Sequence, residues 1–375
     1  RSPSSEAGRP MTKARDLEAL LIAFRPQIKG LVIWDPNVPS TLHVASTVAG
    51  VEGLISVRFD RDPASLCSQL VGQAKIPVKV RLVNADGSAL FTGKGRIPGT
   101  TLASTGSAKC DAYRWVIANY VEKGKCNAGL LGNWVDAFWL TAPLRGSHNL
   151  TNHDFVIARR GIVYDLSMWA DDTPGDDPNQ PLGADYETWI ALLKACAAQT
   201  KGERMIHHAG FVPWHYKYTE KAVPPAGKHG DVESEWKAAE IMSQFNCFMD
   251  ADAHGPSILA NASFTMHMPL EKKYAQNTKP TADDLRRRGY LLAGDKVAPK
   301  RFISFYVGDY DSAAWLATQT PDLWDDKARG TLPLGWAFNP NLAERVPHAM
   351  AHYWRTRTKN DWFVAGDSGA GYVNP

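Results

Sequence analysis

The 375-residue sequence has no long hydrophobic run and little net charge. No segment approaches the ~18 uninterrupted apolar residues of a transmembrane helix, so a membrane is not an expected partner. The formal net charge is only +3, and "DDLRRRGY" is the most basic stretch, which argues against nucleic acid as a partner. With 44% hydrophobic and 22% charged residues, the composition is that of a globular protein.

Cysteine is scarce, which excludes a small disulfide-stapled scaffold. The chain has an odd number of widely spaced cysteines: Cys67, Cys110, Cys126, Cys196 and Cys247. No CxxC pair is present, so a cysteine-based zinc site is also excluded. Cys110 and Cys126 could form one disulfide or remain free, and spacing alone does not decide between these alternatives.

Residues 1–15 are polar and rich in Pro, Ser and Gly, which predicts a disordered tail. This segment lacks the apolar core of a signal peptide. We expect a secreted or extracytoplasmic protein whose signal peptide is absent from this sequence. The triplets at Asn149 and Asn261 match the glycosylation sequon, although such triplets often arise by chance. No pattern indicates an oligomeric state.

Apolar strand-like runs alternate with helix-like segments along the first third of the chain. "GLVIWDP" and "LISVRF" are typical of buried strands, and "TLHVASTVAGVEG" between them is typical of a helix that ends at glycine. Parallel neighbouring strands need such crossover helices. We therefore predict an N-terminal α/β domain with a parallel sheet over residues 16–145.

A second alternating series extends over residues 146–375. Six candidate strands lie in "GIVYDLS", "RMIHHAGFVPW", "NCFMDAD", "RFISFYVGDYD", "LPLGWAFNP" and "DWFVAGDSG". The helical stretches between them are compatible with a (β/α) barrel. A closed barrel needs eight strands, so either the domain is incomplete at the C-terminus, with its last strand an uncovered edge, or the sheet closes differently.

Acidic residues follow most of these candidate strands. In a (β/α) barrel the carboxyl ends of the strands meet at one rim, which would gather these acids around a single pocket. Glycoside cleavage typically uses two carboxyl groups, one of them kept protonated by its surroundings. The predicted catalytic residues are Asp309, Asp311, Asp367 and Asp165.

Further polar and aromatic residues near the same strand ends are candidates for substrate binding. An aromatic ring beside a cation suits a polar ring substrate, although core packing explains the aromatics equally well. A His–Asp neighbour pair is more often structural than functional. The predicted substrate-binding residues are Asp250, Asp252, Trp214, Lys217, Trp336, Asn339, Tyr372, His153 and Asp154.

Other motifs give weaker signals. "STGSAKCDAYRW" resembles a helix start that could hold an anion, but it lacks the spacing of a P-loop. "GDSGAG" lacks the GxSxG spacing of a serine nucleophile. His207 and His208 are adjacent in a candidate strand and should point to opposite faces. Asp136, inside "LGNWVDAFWL", is a candidate for the interface between the two domains.

"HAMAH" places His348 and His352 one helical turn apart, a spacing that can bind a metal. No glutamate lies between the two histidines, and no third ligand is obvious. We therefore expect neither a metal nor another cofactor.

The closing "GDSGAGYVNP" resembles the signature of the family named for GxGYxYP, described as glycoside hydrolases. Gly369, Gly371, Tyr372 and Pro375 match, whereas Asn374 stands in place of the second tyrosine. "STGSAKCDAYRW", "FYVGDYDSAAWL" and "LGWAFNP" also look like family segments, and the resemblance extends from about residue 18. It implies an N-terminal α/β domain, a TIM-barrel-like domain and a carbohydrate substrate.

Three functions are therefore considered. The leading hypothesis is a glycoside hydrolase that uses carboxylates at the rim. The second is a non-catalytic glycan-binding protein with a pocket lined by Trp139, Trp169, Trp214 and Trp336. The third is a metal-dependent polysaccharide deacetylase-like hydrolase that uses Asp309 with His348 and His352.

Overall fold

The computed structural model describes residues 16–133, 153–210, 227–250, 261–308, 316, 319–365 and 371–374. The predicted tail, 1–15, lies outside these ranges. So do Asp136, Trp139 and six predicted site residues: Asp252, Asp309, Asp311, Asp367, Trp214 and Lys217. The helix and strand bounds below refer to the described residues.

The first unit is a three-stranded parallel sheet in the order β2-β1-β3. Its strands are β1 (Leu31–Trp34), β2 (Ile55–Arg58) and β3 (Val78–Arg81). Its helices are α1 (Leu17–Phe24), α2 (Thr41–Glu52) and α3 (Leu66–Ser68), the last continued by a π turn (Gln69–Gln73). Helix α2 ends at Gly53, whose φ of 71° is readily reached without a Cβ.

The second unit is a four-stranded parallel sheet in the order β5-β4-β6-β7. Its strands are β4 (Leu130–Asn133), β5 (Ile162–Tyr164), β6 (Ile206–Ala209) and β7 (Cys247–Asp250). The associated helices are α4 (Ala108–Val116, continued by a π turn at Ile117–Val121), α5 (His153–Ala158), α6 (Ala184–Thr200) and α7 (Asp231–Ser243). The predicted domain boundary at residues 145 and 146 falls between β4 and β5, which are neighbours in this sheet.

Both faces of this sheet are covered, which explains its short, almost wholly apolar strands. On one face, Leu131 and Ile162 pack in a large core with Trp189 of α6. On the other face, Leu130 and Val163 pack against Phe155 of α5. Successive residues of each strand therefore enter different cores.

The third unit is a parallel sheet in the order β10-β9-β8. Its strands are β8 (Tyr306–Val307), β9 (Leu334–Phe338) and β10 (Asp361–Ala365). The accompanying helices are α8 (Ala262–Thr265), α9 (Ala282–Arg287), α10 (Thr320–Trp324), α11 (Leu342–Arg345) and α12 (Pro347–Thr356), and a 3₁₀ turn spans Ala293–Asp295. Trp324, Trp336 and Tyr353 form its aromatic core.

The prediction of an α/β fold with parallel sheets is confirmed, whereas the predicted TIM-like barrel is not confirmed by the described strands. A (β/α) barrel places strands side by side in chain order. Here β4 lies between β5 and β6, and the described strands fall into three separate sheets. This strand order arises because β5 is added on one side of β4, and β6 and β7 are added on the other side, as in doubly wound sheets.

Strand β10 is an edge strand, but its backbone is not left uncovered. The side-chain amide of Gln276 donates to Phe363 O (2.6 Å) and accepts from Phe363 N (3.2 Å). Asn277 Nδ2 donates to Asp361 O (2.7 Å). These two amides satisfy part of the hydrogen-bonding row that an edge strand exposes, which corrects the expectation of an uncovered edge.

All five cysteines are free thiols, so Cys110 and Cys126 are not bridged. Within the described ranges, none of the helices combines the length and apolar character needed to cross a membrane.

The end of the closing motif pairs with the central sheet. Tyr372 forms an antiparallel bridge with Met249 of β7, through Tyr372 N to Met249 O (2.6 Å) and Met249 N to Tyr372 O (3.0 Å). A Cβ on Gly371 would lie 2.6 Å from Met249 O. Glycine is needed here because the two backbones approach so closely.

We expect Gly371→Ala to weaken this pairing and to lower the free energy of unfolding by about 1–3 kcal/mol, because the added methyl group has no room. Thermal and urea unfolding measure the effect. Gly72→Ala is the matched control, because a Cβ at Gly72 meets nothing within 4 Å. Equal stability of the two variants would contradict the prediction.

Candidate active site

A buried carboxylate lies where two sheets meet. Asp250, the last residue of β7, is fully buried. Its Oδ1 accepts a hydrogen bond from Asn339 Nδ2 (2.5 Å), and its Oδ2 accepts from His207 Nε2 (3.0 Å). The guanidinium of Arg345, itself fully buried, also donates to Oδ2. A buried charge needs partners of this kind, and both oxygens of Asp250 have them.

The sequence predicted part of this meeting of strand ends. Asn339 directly follows β9, so its contact with Asp250 brings together the carboxyl ends of β7 and β9. Tyr372, a third predicted site residue, pairs with Met249 beside Asp250. The assignment of Asp250 to substrate binding is corrected, however, because its carboxylate is buried and engaged by the protein. Asp250 instead links the two sheets.

His207 connects the buried carboxylate to a cavity. Its ring stacks on Phe248 with a centroid distance of 4.9 Å. The ring lines a cavity of about 360 Å³ together with Arg159, Arg204 and Glu344. An imidazole that is oriented by a carboxylate can act as a general base, and this cavity is rich in polar groups that could bind a ligand.

His208 lies on the opposite face of β6, as the alternation of the strand predicts. Its Nδ1 lies 2.6 Å from Gly210 O, and its ring contacts the Tyr164 ring edge-on at 5.6 Å. A carbonyl oxygen can only accept a hydrogen bond, so Nδ1 carries the proton. Burial lowers the pKa of His208 to about 3 and keeps the ring neutral near pH 7.

Asp165 lies in a different polar cluster from Asp250, and its catalytic role stays a prediction. Its side chain is fully buried, and its backbone N–H donates to Tyr113 Oη (2.9 Å). Strand β5, which precedes it, lies three strand spacings from β7, about 14 Å. Asp165 and Asp250 therefore belong to separate clusters rather than to one pocket.

Lys109 is the centre of the Asp165 cluster. Its Nζ forms ion pairs with Asp185 (2.8 Å) and Asp176 (3.0 Å), and all three side chains are buried. Burial opposes the charged form of Lys109, but the carboxylates of Asp176, Asp185 and Asp165 outweigh it and raise the pKa of Lys109 well above its usual value. The cluster anchors the long loop after β5 to α4.

The helix start in "STGSAKCDAYRW" is already occupied by carboxylates of this chain. Ser107 caps α4, and its Oγ donates to Asp177 Oδ2 (2.5 Å). Asp111 accepts from Thr105 N (2.7 Å) and from Ser104 Oγ (2.7 Å). The helix dipole favours negative charge at this end, and Asp177 supplies it in place of the predicted anionic ligand.

Two predicted binding residues have structural contacts instead. Trp336 is only 2% exposed, and its Nε1 donates to Asp361 Oδ1 (2.9 Å), so its ring offers no platform for a sugar. Asp154 Oδ2 accepts from Ser263 N (2.9 Å) and joins α5 to α8. His153, half-buried, is the first residue of α5.

Trp169 and the C-terminal histidines bear on the alternative functions. Trp169, half-buried, stacks on His229 at 3.5 Å and donates to Ser234 Oγ. His348 and His352 line a cavity of about 560 Å³ beside α12. No group of three or more potential metal ligands occurs within the ranges given above.

Sequence reasoning missed Arg345 and the role of His207. Arg345 lies in "NLAERVP" and is buried, although arginine is usually exposed. The neighbouring Leu342 and Val346, both buried, are the signal that this short helix faces a core. His207 and His208 were correctly assigned to opposite faces, but the partner of each ring was not predicted.

Comparison with known proteins finds matches to two models of one family. Residues 28–123 match the model described as "GxGYxYP_N second domain", and residues 299–375 match "GxGYxYP putative glycoside hydrolase C-terminal domain". Both segments are thus similar to the GxGYxYP family. The resemblance to this family that was based on the closing motif is thus confirmed. Asp250 lies in the stretch between the two matched segments.

A solved structure supports the fold. It is described as a putative hydrolase from Bacteroides thetaiotaomicron, with a TM-score of 0.55 and 16% sequence identity. The match covers 100% of the present chain and 57% of the solved chain, so the present chain spans little more than half of that protein. No curated protein matches the sequence.

We expect Arg345→Met to lower the free energy of unfolding by about 3–5 kcal/mol, because it leaves the buried Asp250 carboxylate without its cation. Asp250→Asn combined with Arg345→Met should cost clearly less than the sum of the single changes. Urea unfolding of the four proteins measures this coupling. Additive losses would show that the ion pair does not link the two residues energetically.

His208→Asn should flatten the dependence of stability on pH. Because the folded pKa of about 3 lies below the ordinary value of 6.5, the unfolded chain binds the extra proton between these values. Stability supplied by neutral His208 is present above pH 6.5 and falls as the pH drops toward 3. The slope of the free energy of unfolding against pH, measured by urea unfolding, should differ between the two proteins by up to about 1.4 kcal/mol per pH unit, which corresponds to one proton. Parallel curves for the two proteins would contradict this.

Proposed function

We propose that the protein is a hydrolase that acts on a carbohydrate through Asp309 and Asp367. The observation that supports this proposal is the parallel order β10-β9-β8, which places three carboxyl ends at one edge. Asp309 follows β8 by two residues, and Asp367 follows β10 by two. Asn339, at the end of β9 between them, already meets Asp250 at this edge.

The chemistry requires two carboxyl groups on either side of a glycosidic bond. One protonates the leaving oxygen, and the other activates a water molecule or attacks the sugar. The separation of the two carboxyl groups is about 5–5.5 Å in retaining enzymes and about 6.5–9.5 Å in inverting ones.

Asp311 is assigned a supporting role, because it follows the same strand as Asp309 two residues later. The matched family is described as glycoside hydrolases, and this description supports hydrolysis as the reaction class. The glycan-binding alternative loses one of its four aromatic platforms, because Trp336 is inside the core. The metal-dependent alternative receives no support from the described residues.

Asp309→Asn and Asp367→Asn should each reduce hydrolysis by at least about 10²-fold, because each removes a group that transfers a proton or activates water. Release of reducing sugar from a panel of plant and bacterial polysaccharides measures the activity. NMR of the first-formed anomer distinguishes inversion from retention. Asp322→Asn is the matched control, because Asp322 is an exposed acid on α10.

Full activity in both variants would remove the proposal. Loss of activity in all three variants would also count against it, because the control would then show a general effect on the protein. Unchanged melting temperatures of the two active-site variants are part of the expected result.

A further inference from the structure

Two buried polar side chains of the central sheet have hydrogen-bonding groups that no described residue uses. Asn133, at the end of β4, is only 4% exposed, and neither its Oδ1 nor its Nδ2 has a hydrogen-bond partner among the described residues. His208 of β6 is fully buried, and within the same part of the chain its Nε2 also lacks a partner. Buried polar groups are nearly always paired, so two such residues on adjacent strands require an explanation.

The two residues share one face of the sheet. Asn133 pairs with Tyr164 on β5, and Leu131 pairs with His208 on β6. Residues two apart on a strand point the same way, so Asn133 lies on the face of Leu131 and His208. The edge-on contact between the Tyr164 and His208 rings is consistent with this shared face.

Their position is the one at which open α/β sheets bind ligands. In the order β5-β4-β6-β7, the chain first passes from β4 to β5 on one side. It then returns past β4 to β6 on the other side. Ligands bind outside the carboxyl ends of the strands at such a switch point. Asn133 is the C-terminal residue of β4, and His208 is one residue before the end of β6.

The unused groups define the chemistry of the ligand. Because Nδ1 of His208 donates to Gly210 O, its Nε2 is a bare acceptor. The Asn133 amide offers one further acceptor and two donor hydrogens. Both side chains are uncharged. A hydroxyl group, which donates one hydrogen bond and accepts others, matches this set.

We propose that Asn133 and His208 form a binding subsite for hydroxyl groups of an uncharged, polyhydroxylated ligand. That this ligand is a sugar rests on the proposed function, whereas the preference for hydroxyl groups does not. Asn339 provides a comparison within the same protein. Its Nδ2 donates to Asp250 and its Oδ1 accepts from Asn341 N (2.9 Å), as expected of an asparagine with a structural role.

The experiment compares Asn133→Leu with Asn339→Leu in the full chain. Leucine has a similar volume and no polar atoms. Replacing an unpaired buried amide should leave the melting temperature unchanged or raise it, whereas replacing the paired amide of Asn339 should lower it. Ligand-observed NMR and calorimetry then measure binding of methyl glycosides of glucose, galactose, xylose and N-acetylglucosamine.

We expect at least one of these glycosides to bind the unaltered protein and to bind Asn133→Leu at least tenfold more weakly. His208→Asn should also weaken binding, because Nε2 is lost. No binding of any of the four glycosides to the unaltered protein overturns the inference. It is also overturned if Asn133→Leu binds them normally, or lowers the melting temperature as much as Asn339→Leu, which would indicate a buried water molecule instead.

The outcome can be separated from that of the proposed function. Glycoside binding that depends on Asn133, without any hydrolysis, would remove only the proposed function. Hydrolysis with an unchanged KM in Asn133→Leu would remove only the present inference.

Discussion

A buried carboxylate must be neutralised where it lies, and in this protein Asp250 takes its partners from separate parts of the chain. Arg345 is 95 residues away and Asn339 is 89 residues away in sequence. Breaking a buried pair leaves an uncompensated charge, which is costly. The requirement therefore holds β7 against β9 and α11. These contacts link the carboxyl ends of the second and third sheets, and the backbone bridge between Met249 and Tyr372 lies beside them.

Lys109 fulfils the same requirement in the N-terminal half. Its ion pairs with Asp176 and Asp185 connect α4 to the loop after β5 and to α6. Asp177 adds a carboxylate at the start of α4. The two clusters differ in consequence, because the Lys109 cluster is closed by the chain itself, whereas the Asp250 cluster reaches a cavity through His207.

Local sequence patterns predicted elements well and their arrangement poorly. The run "GLVIWDP" gave rise to β1, and "DYETWIALLKACAAQ" lies within α6, because apolar periodicity acts over a few residues. The order β5-β4-β6-β7 could not be read from the same patterns, since a crossover helix fits either side of β4. "LGNWVDAFWL" was assigned as a strand, yet β4 begins earlier, at Leu130.

For the candidate site, too, the sequence predicted some positions but not the roles of the residues. Placing Asp250 and Asn339 at strand ends predicted that they would meet, because carboxyl ends of parallel strands lie at one edge. Their roles were not predictable, since a carboxylate that binds substrate and one that binds Arg345 look alike in sequence. Trp336 is a similar case, because whether an aromatic ring faces a ligand or a core depends on which helix packs over it.

The side-chain amide of Gln276 has the same donor and acceptor groups as a peptide bond, and it occupies the outer side of β10 at Phe363. The side chain of this glutamine thereby forms the two hydrogen bonds that one residue of a further strand would form with Phe363. An extended segment from another molecule would have to displace this amide before it could add to the sheet. The protein thus resists intermolecular sheet growth at this flank without lengthening its own sheet.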